Sequence, residues 1–156
     1  MRKTLSSMMA GKTGVISMQI AVSEDCREVD WEVLMSLLKR SGMGTYTPGL
    51  HRQAFENSRR AVFIYDCGDL IGCGRLLSDG AYQGAIYDVA VDERYRGQGI
   101  GRRIMDELVS GAEGLNLLLY ASPGKESFYE KFGFERTKTG MVRFLKPDLM
   151  REKGLI

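Results

Sequence analysis

The stretch "YRGQGIGRR" (residues 95–103) places glycine at positions 97, 99 and 101 between arginines. The apolar run "AIYDVAV" (85–91) before it predicts a strand, and apolar residues recur at helical spacing after it, from Ile100 to Val109. A turn from strand to helix presents backbone N–H groups that lack a partner within the helix, and the aligned peptide dipoles add positive charge there. Because glycine lets an anion approach the backbone closely, this turn predicts a phosphate or pyrophosphate site.

The segments around this turn predict a mixed sheet with helices on its faces. Upstream, "AVFIYD" (61–66) and "LIGCGRLLS" (70–78) are joined by the short link "CGD", which predicts an antiparallel hairpin. Downstream, "LNLLLYA" (115–121) is a continuous apolar run and predicts a strand buried on both faces. Strand 85–91, the helix and strand 115–121 form a βαβ unit, which requires a parallel pair. The predicted fold class is therefore α/β (α+β).

Further elements are predicted towards both ends of the chain. Alternating residues at 15–22 and the run "GMVRFLK" at 140–146 predict a first and a last strand. Helices are predicted at 30–40 with Asp30 as N-cap, at 51–58, and in a short segment that holds Phe128 and Phe132 at i, i+4.

Composition limits the domain count and the function classes. The chain of 156 residues is 44% apolar, which fits a single domain at 15–156, with residues 1–14 as a flexible arm or an artificial remnant. The net charge of +2 and the pI of 8.4 are mild, so nucleic acid is not an expected partner. No apolar run reaches the roughly 18 residues of a membrane helix, so no membrane partner is expected. The three cysteines form no CxxC pair, which predicts a reducing, cytoplasmic location and no metal site.

Two common nucleotide-binding loops do not fit the glycine stretch. A GxGxxG fingerprint starting at Gly97 would need glycine where Arg102 stands, and the GK[ST] of a P-loop does not occur there. The pattern Arg96-x-x-Gly99-x-Gly101 fits instead. It resembles the acetyl-CoA pyrophosphate motif of the GNAT superfamily of N-acetyltransferases, and the resemblance extends over about residues 18–147. The block "FYEKFGF" (128–134) follows the next strand, as it does in that family.

This resemblance implies a fold and a cofactor. The fold would have a central sheet of six or seven strands with a splayed parallel pair. Acetyl-CoA would be the co-substrate, with its pantetheine arm paired to the backbone of the strand before the loop and its pyrophosphate on the loop N–H groups. The implied cofactor-binding residues are Val89, Ala90, Val91, Arg96, Gly97, Gln98, Gly99, Ile100, Gly101, Arg102 and Tyr129.

Transfer to an amine first requires that the amine lose a proton. An alkylamine with a pKa of about 10.4 is only roughly one part in 10³ neutral at pH 7, so a general base is expected. Asp88 interrupts an otherwise apolar strand and is the favoured catalytic candidate; the alternative is a structural Asp paired with an arginine such as Arg75. The single histidine, His51, is a base by type, with a surface imidazole as the alternative. Asp79 is a weaker candidate for binding the substrate ammonium, and turn chemistry explains it equally well.

The remaining steps concern the oxyanion and the leaving sulfur. The resemblance implies that Tyr129 lies near the CoA sulfur and protonates it; the alternative is an amphipathic tyrosine over the core edge. A backbone N–H near Val89 is the expected oxyanion donor.

The stretch at 74–101, "GRLLSDGAYQGAIYDVAVDERYRGQGIG", is similar to that of plant chloroplast serotonin N-acetyltransferases and their bacterial relatives. The similarity favours a small arylalkylamine or a polyamine as acceptor, with Met43, Tyr46 and Phe144 as candidates for an apolar wall. A protein lysine acceptor and a non-catalytic acyl-CoA-binding regulatory domain are the alternatives, and a homodimer is left open.

Overall fold

The computed structural model describes residues 17–44 and 46–156, together with the backbone of Lys3–Thr4. Apart from that pair, the predicted arm at 1–14 and the start of the predicted first strand, 15–16, lie outside the described residues. The chain divides into two compact units, Met1–Leu117 and Leu118–Ile156.

The strands lie in the sheet in the order of the sequence. They are β1 (Lys3–Thr4), β2 (Ile20–Ser23), β3 (Arg60–Asp66), β4 (Asp69–Ser78), β5 (Gln83–Val91) and β6 (Asn116–Leu118). The helices are α1 (Trp31–Arg40), α2 (Pro48–Glu56), α3 (Ile100–Val109), α4 (Glu126–Glu130) and α5 (Pro147–Glu152). The pairs from β1 to β5 are antiparallel, and α3 forms the crossover from β5 to β6, so the sheet is mixed.

The number of full strands differs from the prediction of six or seven. Within the described residues, five strands of three residues or more are found, β2 to β6, and β1 adds a two-residue pairing with β2. The predicted strand at 140–146 is wrong: that segment forms no strand, and its Met141 and Leu145 are 98% and 93% exposed. An extended segment with neither a paired neighbour nor a buried face gains too little to form a strand.

The prediction that 115–121 is a strand buried on both faces is also wrong. Only Asn116–Leu118 is a strand, and Leu118 is 55% exposed. The strand β6 stands at the end of the strand order, so one of its edges has no neighbour among the described strands.

Helix α1 begins as its sequence predicts. Asp30 is the N-cap, and its Oδ1 accepts the N–H groups of Glu32 and Val33 at 3.0 and 3.2 Å. Leu34, Leu37 and Leu38 on its apolar face are fully buried, whereas Val33 is 40% exposed.

The predicted hairpin between β3 and β4 is confirmed. Its turn residues, Cys67 and Gly68, have φ of +49° and +93°. Positive φ at both central residues matches a type I′ turn, whose twist suits two antiparallel strands.

Alternate residues of β4 face two different helical layers. Cys73 belongs to the core cluster that includes Leu34 of α1 and Phe55 of α2. On the other face, a Cβ placed on Gly74 would lie 2.7 Å from Ile104 Cγ2 and 2.9 Å from Leu108 Cδ1 of α3. Helices therefore cover both faces of the sheet, and α3 packs against glycine backbone. No helix of the described residues is long and apolar enough to span a membrane.

Candidate active site

Strand β5 contains a bulge at Asp88 and Val89. Tyr87 is paired with Arg75 and Ala90 with Cys73, so two residues of β5 lie opposite Gly74 of β4. Asp88 has a φ of +55°, in the left-handed region that L-residues rarely adopt and that Asp tolerates better than most. The bulge therefore sets the direction of the Asp88 side chain.

The Asp88 carboxylate is ion-paired. Arg75 Nε donates to Asp88 Oδ2 at 2.5 Å, and the two side chains are 15% and 25% exposed, Arg75 first. The guanidinium also lies over the rings of Phe55 and Tyr87, at 5.8 and 5.2 Å from their centroids. This is the pairing that the sequence left open as the alternative to catalysis. The catalytic role of Asp88 stays a prediction, now with the added condition that any base chemistry competes with Arg75.

The glycine turn opens helix α3 without a capping side chain. Gly97 and Gly99 have φ of +74° and +85°, and Gly99 is the N-cap, with no side-chain hydrogen bond to the helix. A helical hydrogen bond of the first turn runs from the Arg103 N–H to the Gly99 carbonyl, at 2.9 Å. The first turn contains no acidic residue, and Gly97, Gln98 and Gly99 are exposed. An anion can therefore reach the N–H groups at this helix start.

Basic side chains surround the turn. Arg96 and Arg102 are exposed, and Arg103 forms an ion pair with Glu107 at 2.8 Å. The Gln98 amide donates to the Arg94 carbonyl at 2.8 Å, which closes the turn on itself. Arg96 and Arg102 thus place exposed positive charge on either side of the turn.

The other predicted cofactor contacts lie on β5. Val89 is in the bulge, and Ala90 and Val91 return to the ladder opposite Cys73 and Gly72. Ile100 is buried on the face of α3 that packs on the sheet, and Gly101 follows it in the first helical turn. The structure therefore brings Asp88, the three residues after it and the glycine turn together in one unit.

His51 is buried, and the surface imidazole considered from the sequence is wrong. Helix α2 begins at Pro48, with Thr47 as N-cap, and this earlier start places His51 and Phe55 on its inner face. His51 is 4% exposed, and its Nε2 accepts the Tyr46 N–H at 3.4 Å. Burial lowers the pKa of the imidazole, with a smaller opposing influence from Asp88. The side chain is therefore neutral at pH 7.

The structure gives Asp79 a turn role. Its Oδ1 accepts the N–H groups of Ala81, Tyr82 and Gln83 at 2.8, 3.0 and 3.1 Å. These backbone hydrogen bonds lower the pKa of the Asp79 carboxyl. Turn chemistry thus accounts for this residue.

Tyr129 lies in the second unit, on α4. Its ring centroid is 5.0 Å from that of Phe128 and 6.3 Å from that of Phe134, and the side chain is half-buried. The predicted i, i+4 contact of Phe128 with Phe132 is present at 5.4 Å. A phenol is protonated at neutral pH, and burial raises the pKa of Tyr129 further.

Across the described residues, no group of three or more His, Cys, Asp or Glu side chains is arranged to hold a metal ion.

Comparisons with known proteins bear on this arrangement. The chain is 37% identical over 75 residues to the chloroplastic GCN5-related N-acetyltransferase 2 of Arabidopsis thaliana, covering 46% of this chain and 29% of that relative. It is 30% identical over 122 residues to the chloroplastic serotonin N-acetyltransferase 2 of Oryza sativa subsp. japonica, covering 73% of this chain and 60% of that relative. The chain thus spans less than two thirds of the length of these two curated relatives.

A solved structure from meticillin-resistant Staphylococcus aureus, described as a probable acetyltransferase, superposes with a TM-score of 0.73 at 28% identity, covering 81% of this chain and 99% of that one. The family model described as an acetyltransferase (GNAT) domain matches residues 57–136. That range includes the bulged strand, the glycine turn, α3 and α4. The chain therefore belongs to the GNAT acetyltransferase family.

Proposed function

We propose that this protein transfers the acetyl group of acetyl-CoA to a primary amine, by direct attack within a ternary complex. The observation that carries the proposal is the uncapped, glycine-rich start of α3, which follows a bulged strand within the part of the chain that matches the GNAT family.

In this proposal the cofactor lies along β5 and ends at α3. The pyrophosphate accepts hydrogen bonds from the N–H groups of residues 97–102, and Arg96 and Arg102 add charge. The pantetheine arm pairs with the backbone of Val89, Ala90 and Val91 in the manner of an added strand. A splayed parallel pair, β5 and β6, would leave room for it.

Three groups serve the chemistry. Asp88 takes the proton of the amine, directly or through water, with another carboxylate or a water chain as the alternative. The N–H groups at the bulge, near Val89, stabilise the tetrahedral oxyanion. Tyr129, whose phenol is protonated at neutral pH, delivers a proton to the leaving CoA thiolate.

The proposed acceptor is a small arylalkylamine or a polyamine. The similarity to a relative that is named a serotonin N-acetyltransferase supports it. A protein lysine is the competing acceptor. The cytoplasmic location and the homodimer remain predictions, and light scattering of the purified protein tests the second.

The proposal is tested by following thiol release from acetyl-CoA with tryptamine, serotonin, spermidine, an aminoglycoside and a lysine peptide. We expect turnover on the small amines and a loss of at least about tenfold in kcat for Tyr129→Phe. Tyr82→Phe is the matched control, because Tyr82 is 63% exposed and lies outside the site. Preference for the peptide would favour a protein acceptor. Tight binding of acetyl-CoA without thiol release would favour a regulatory domain.

A second experiment tests the cofactor turn directly. Gly99 and Gly111 have φ of +85° and +77°, and a Cβ at either position would meet nothing within 4 Å. Alanine at either site therefore causes similar backbone strain, about 1 kcal/mol. Only Gly99→Ala should weaken CoA binding in calorimetry. Equal CoA affinity in the two variants would contradict the assignment of this turn.

A further inference from the structure

A hydrogen bond between a phenol and a carboxylate ties the turn before the glycines to strand β3. The Tyr95 hydroxyl donates to Asp66 Oδ2 at 2.9 Å, and Asp66 Oδ1 accepts the Gln19 N–H at 2.8 Å. Asp66 is the last residue of β3 and is 7% exposed. One buried carboxylate thus joins three segments of the first unit. No role was predicted from the sequence for Asp66 or Tyr95.

The other end of the same turn is fixed separately. The Asp92 N–H donates to the Ile71 carbonyl at 2.8 Å, and Asp92 Oδ1 accepts both the N–H and the Nε of Arg94 at 3.0 Å. Arg40 of α1 reaches Asp92 Oδ2 at 3.3 Å. Asp92 therefore holds the start of the turn, and Tyr95 holds its end, one residue before Arg96.

The attachment through Tyr95 matters because the glycine segment that follows can adopt many backbone conformations. Gly97 and Gly99 both adopt positive φ, and glycine visits many other conformations at little cost. If only a fraction of the turn conformers presents its N–H groups to an anion, the apparent dissociation constant rises in inverse proportion to that fraction. A fixed residue next to Arg96 restricts the conformers that the turn can sample.

The Tyr95–Asp66 contact has the strength that such a role needs. A hydrogen bond to an ionised, buried carboxylate is stronger than one between neutral groups. The hydrogen bond to Asp66 also raises the pKa of the Tyr95 phenol, so the phenol remains a donor at neutral and mildly alkaline pH.

We propose that Tyr95 and Asp66 are positioning residues that hold the glycine turn in the conformation that binds the cofactor pyrophosphate. The inference rests on the proposed function, since it assumes that CoA occupies this turn. It differs from a role in folding alone, because it predicts an effect confined to ligands that carry the pyrophosphate.

The test compares wild type with Tyr95→Phe, and with Tyr82→Phe as the exposed control. We measure calorimetric affinity for CoA, dephospho-CoA and pantetheine, and steady-state kinetics with acetyl-CoA. We expect Tyr95→Phe to weaken the binding of CoA and of dephospho-CoA about tenfold and to raise KM for acetyl-CoA by a similar factor. The value of kcat should stay within about twofold of wild type. Pantetheine, which lacks the pyrophosphate, should bind wild type and variant equally.

Asp66→Asn supplies a second, independent variant. The asparagine retains one acceptor oxygen but removes the charge, so this variant should lose less CoA affinity than Tyr95→Phe does. In the double variant with Tyr95→Phe, Asp66→Asn should cause no further loss of CoA affinity, because both changes act on the same Tyr95–Asp66 hydrogen bond. Unaltered CoA affinity in Tyr95→Phe, or an equal loss for pantetheine, would overturn the inference. Failure of the wild-type protein to bind CoA would instead refute the proposed function on which the inference rests.

Discussion

Replacing Asp88 and Arg75, singly and together, separates a catalytic carboxylate from a structural one. The variants are Asp88→Asn, Arg75→Gln and the double variant. Both side chains are at most one-quarter exposed, and their contact is 2.5 Å long. A hydrogen bond to a charged group contributes about 1.5–3 kcal/mol, and each single change leaves one largely buried charge without its counter-charge.

We therefore expect each single variant to lose about 2 kcal/mol of unfolding free energy, or roughly 4–8 °C in Tm for a chain of this size. The double variant should lose less than the sum of the two, with a coupling energy of about 1–2 kcal/mol. Urea titrations at pH 7 measure these values. Additive losses would contradict the ion pair as a stabilising contact.

The same variants report on catalysis. If Asp88 removes the amine proton, Asp88→Asn should lower kcat by about 10²-fold or more in both backgrounds, whereas Arg75→Gln retains the base and lowers kcat far less. The deficit of Asp88→Asn should shrink as the pH approaches the amine pKa of about 10.4, because solvent then supplies neutral amine. Assays are run well below the lowest Tm. If Arg75→Gln loses as much activity as Asp88→Asn and the double variant recovers it, Asp88 is structural and the catalytic assignment is refuted.

Three further predictions concern stability. Gly74→Ala should cost about 1–3 kcal/mol of unfolding free energy in urea titrations, because its Cβ would overlap Ile104 and Leu108, whereas Gly44→Ala, with open space, should be nearly neutral. Ion pairing with Arg94 lowers the pKa of Asp92 from 3.8 to about 2, so its stabilisation is complete above pH 4 and is lost as the pH falls towards 2. The gap between wild type and Asp92→Asn, about 2 kcal/mol at pH 6, should therefore close between pH 4 and 2, and a gap that persists at pH 2 would contradict it. Burial lowers the pKa of His51, so the unfolded chain takes up the proton first as the pH falls below about 6.5; His51→Gln should lose less stability than wild type between pH 7 and 5, and equal losses would contradict this.

Local signals predicted the elements that depend on neighbours in sequence. Asp30 caps α1 as expected, and the link after β3 forms the expected tight hairpin turn. The helix after the glycines buries Ile104 and Leu108 as its spacing indicated. The cap and the hairpin turn depend on partners within a few residues, and the helix is marked by its apolar spacing, so the local pattern contains the information in each case.

Features that depend on distant partners were only partly predictable. The sequence offered Arg75 as one possible arginine partner for Asp88. The bulge and the positive φ of Asp88 were not predicted, because a residue other than glycine gives no local signal for them. The burial of His51 depends on where α2 packs. The Tyr95–Asp66 contact joins residues 29 apart.

Three carboxylates near the proposed anion site have protein partners. Asp66 accepts from Tyr95, Asp88 from Arg75, and Asp92 from Arg94. An unpaired carboxylate would repel a pyrophosphate, and pairing reduces the repulsion that these three residues would exert. The same pairing occupies Asp88 Oδ2, so the acceptor amine must displace Arg75 or reach Asp88 through water. A positively charged amine is suited to that displacement, because its ammonium replaces one cation by another before it gives up the proton. If so, Arg75→Gln should lower KM for the amine while leaving KM for acetyl-CoA unchanged. An unchanged amine KM in that variant would favour a water-mediated proton transfer instead.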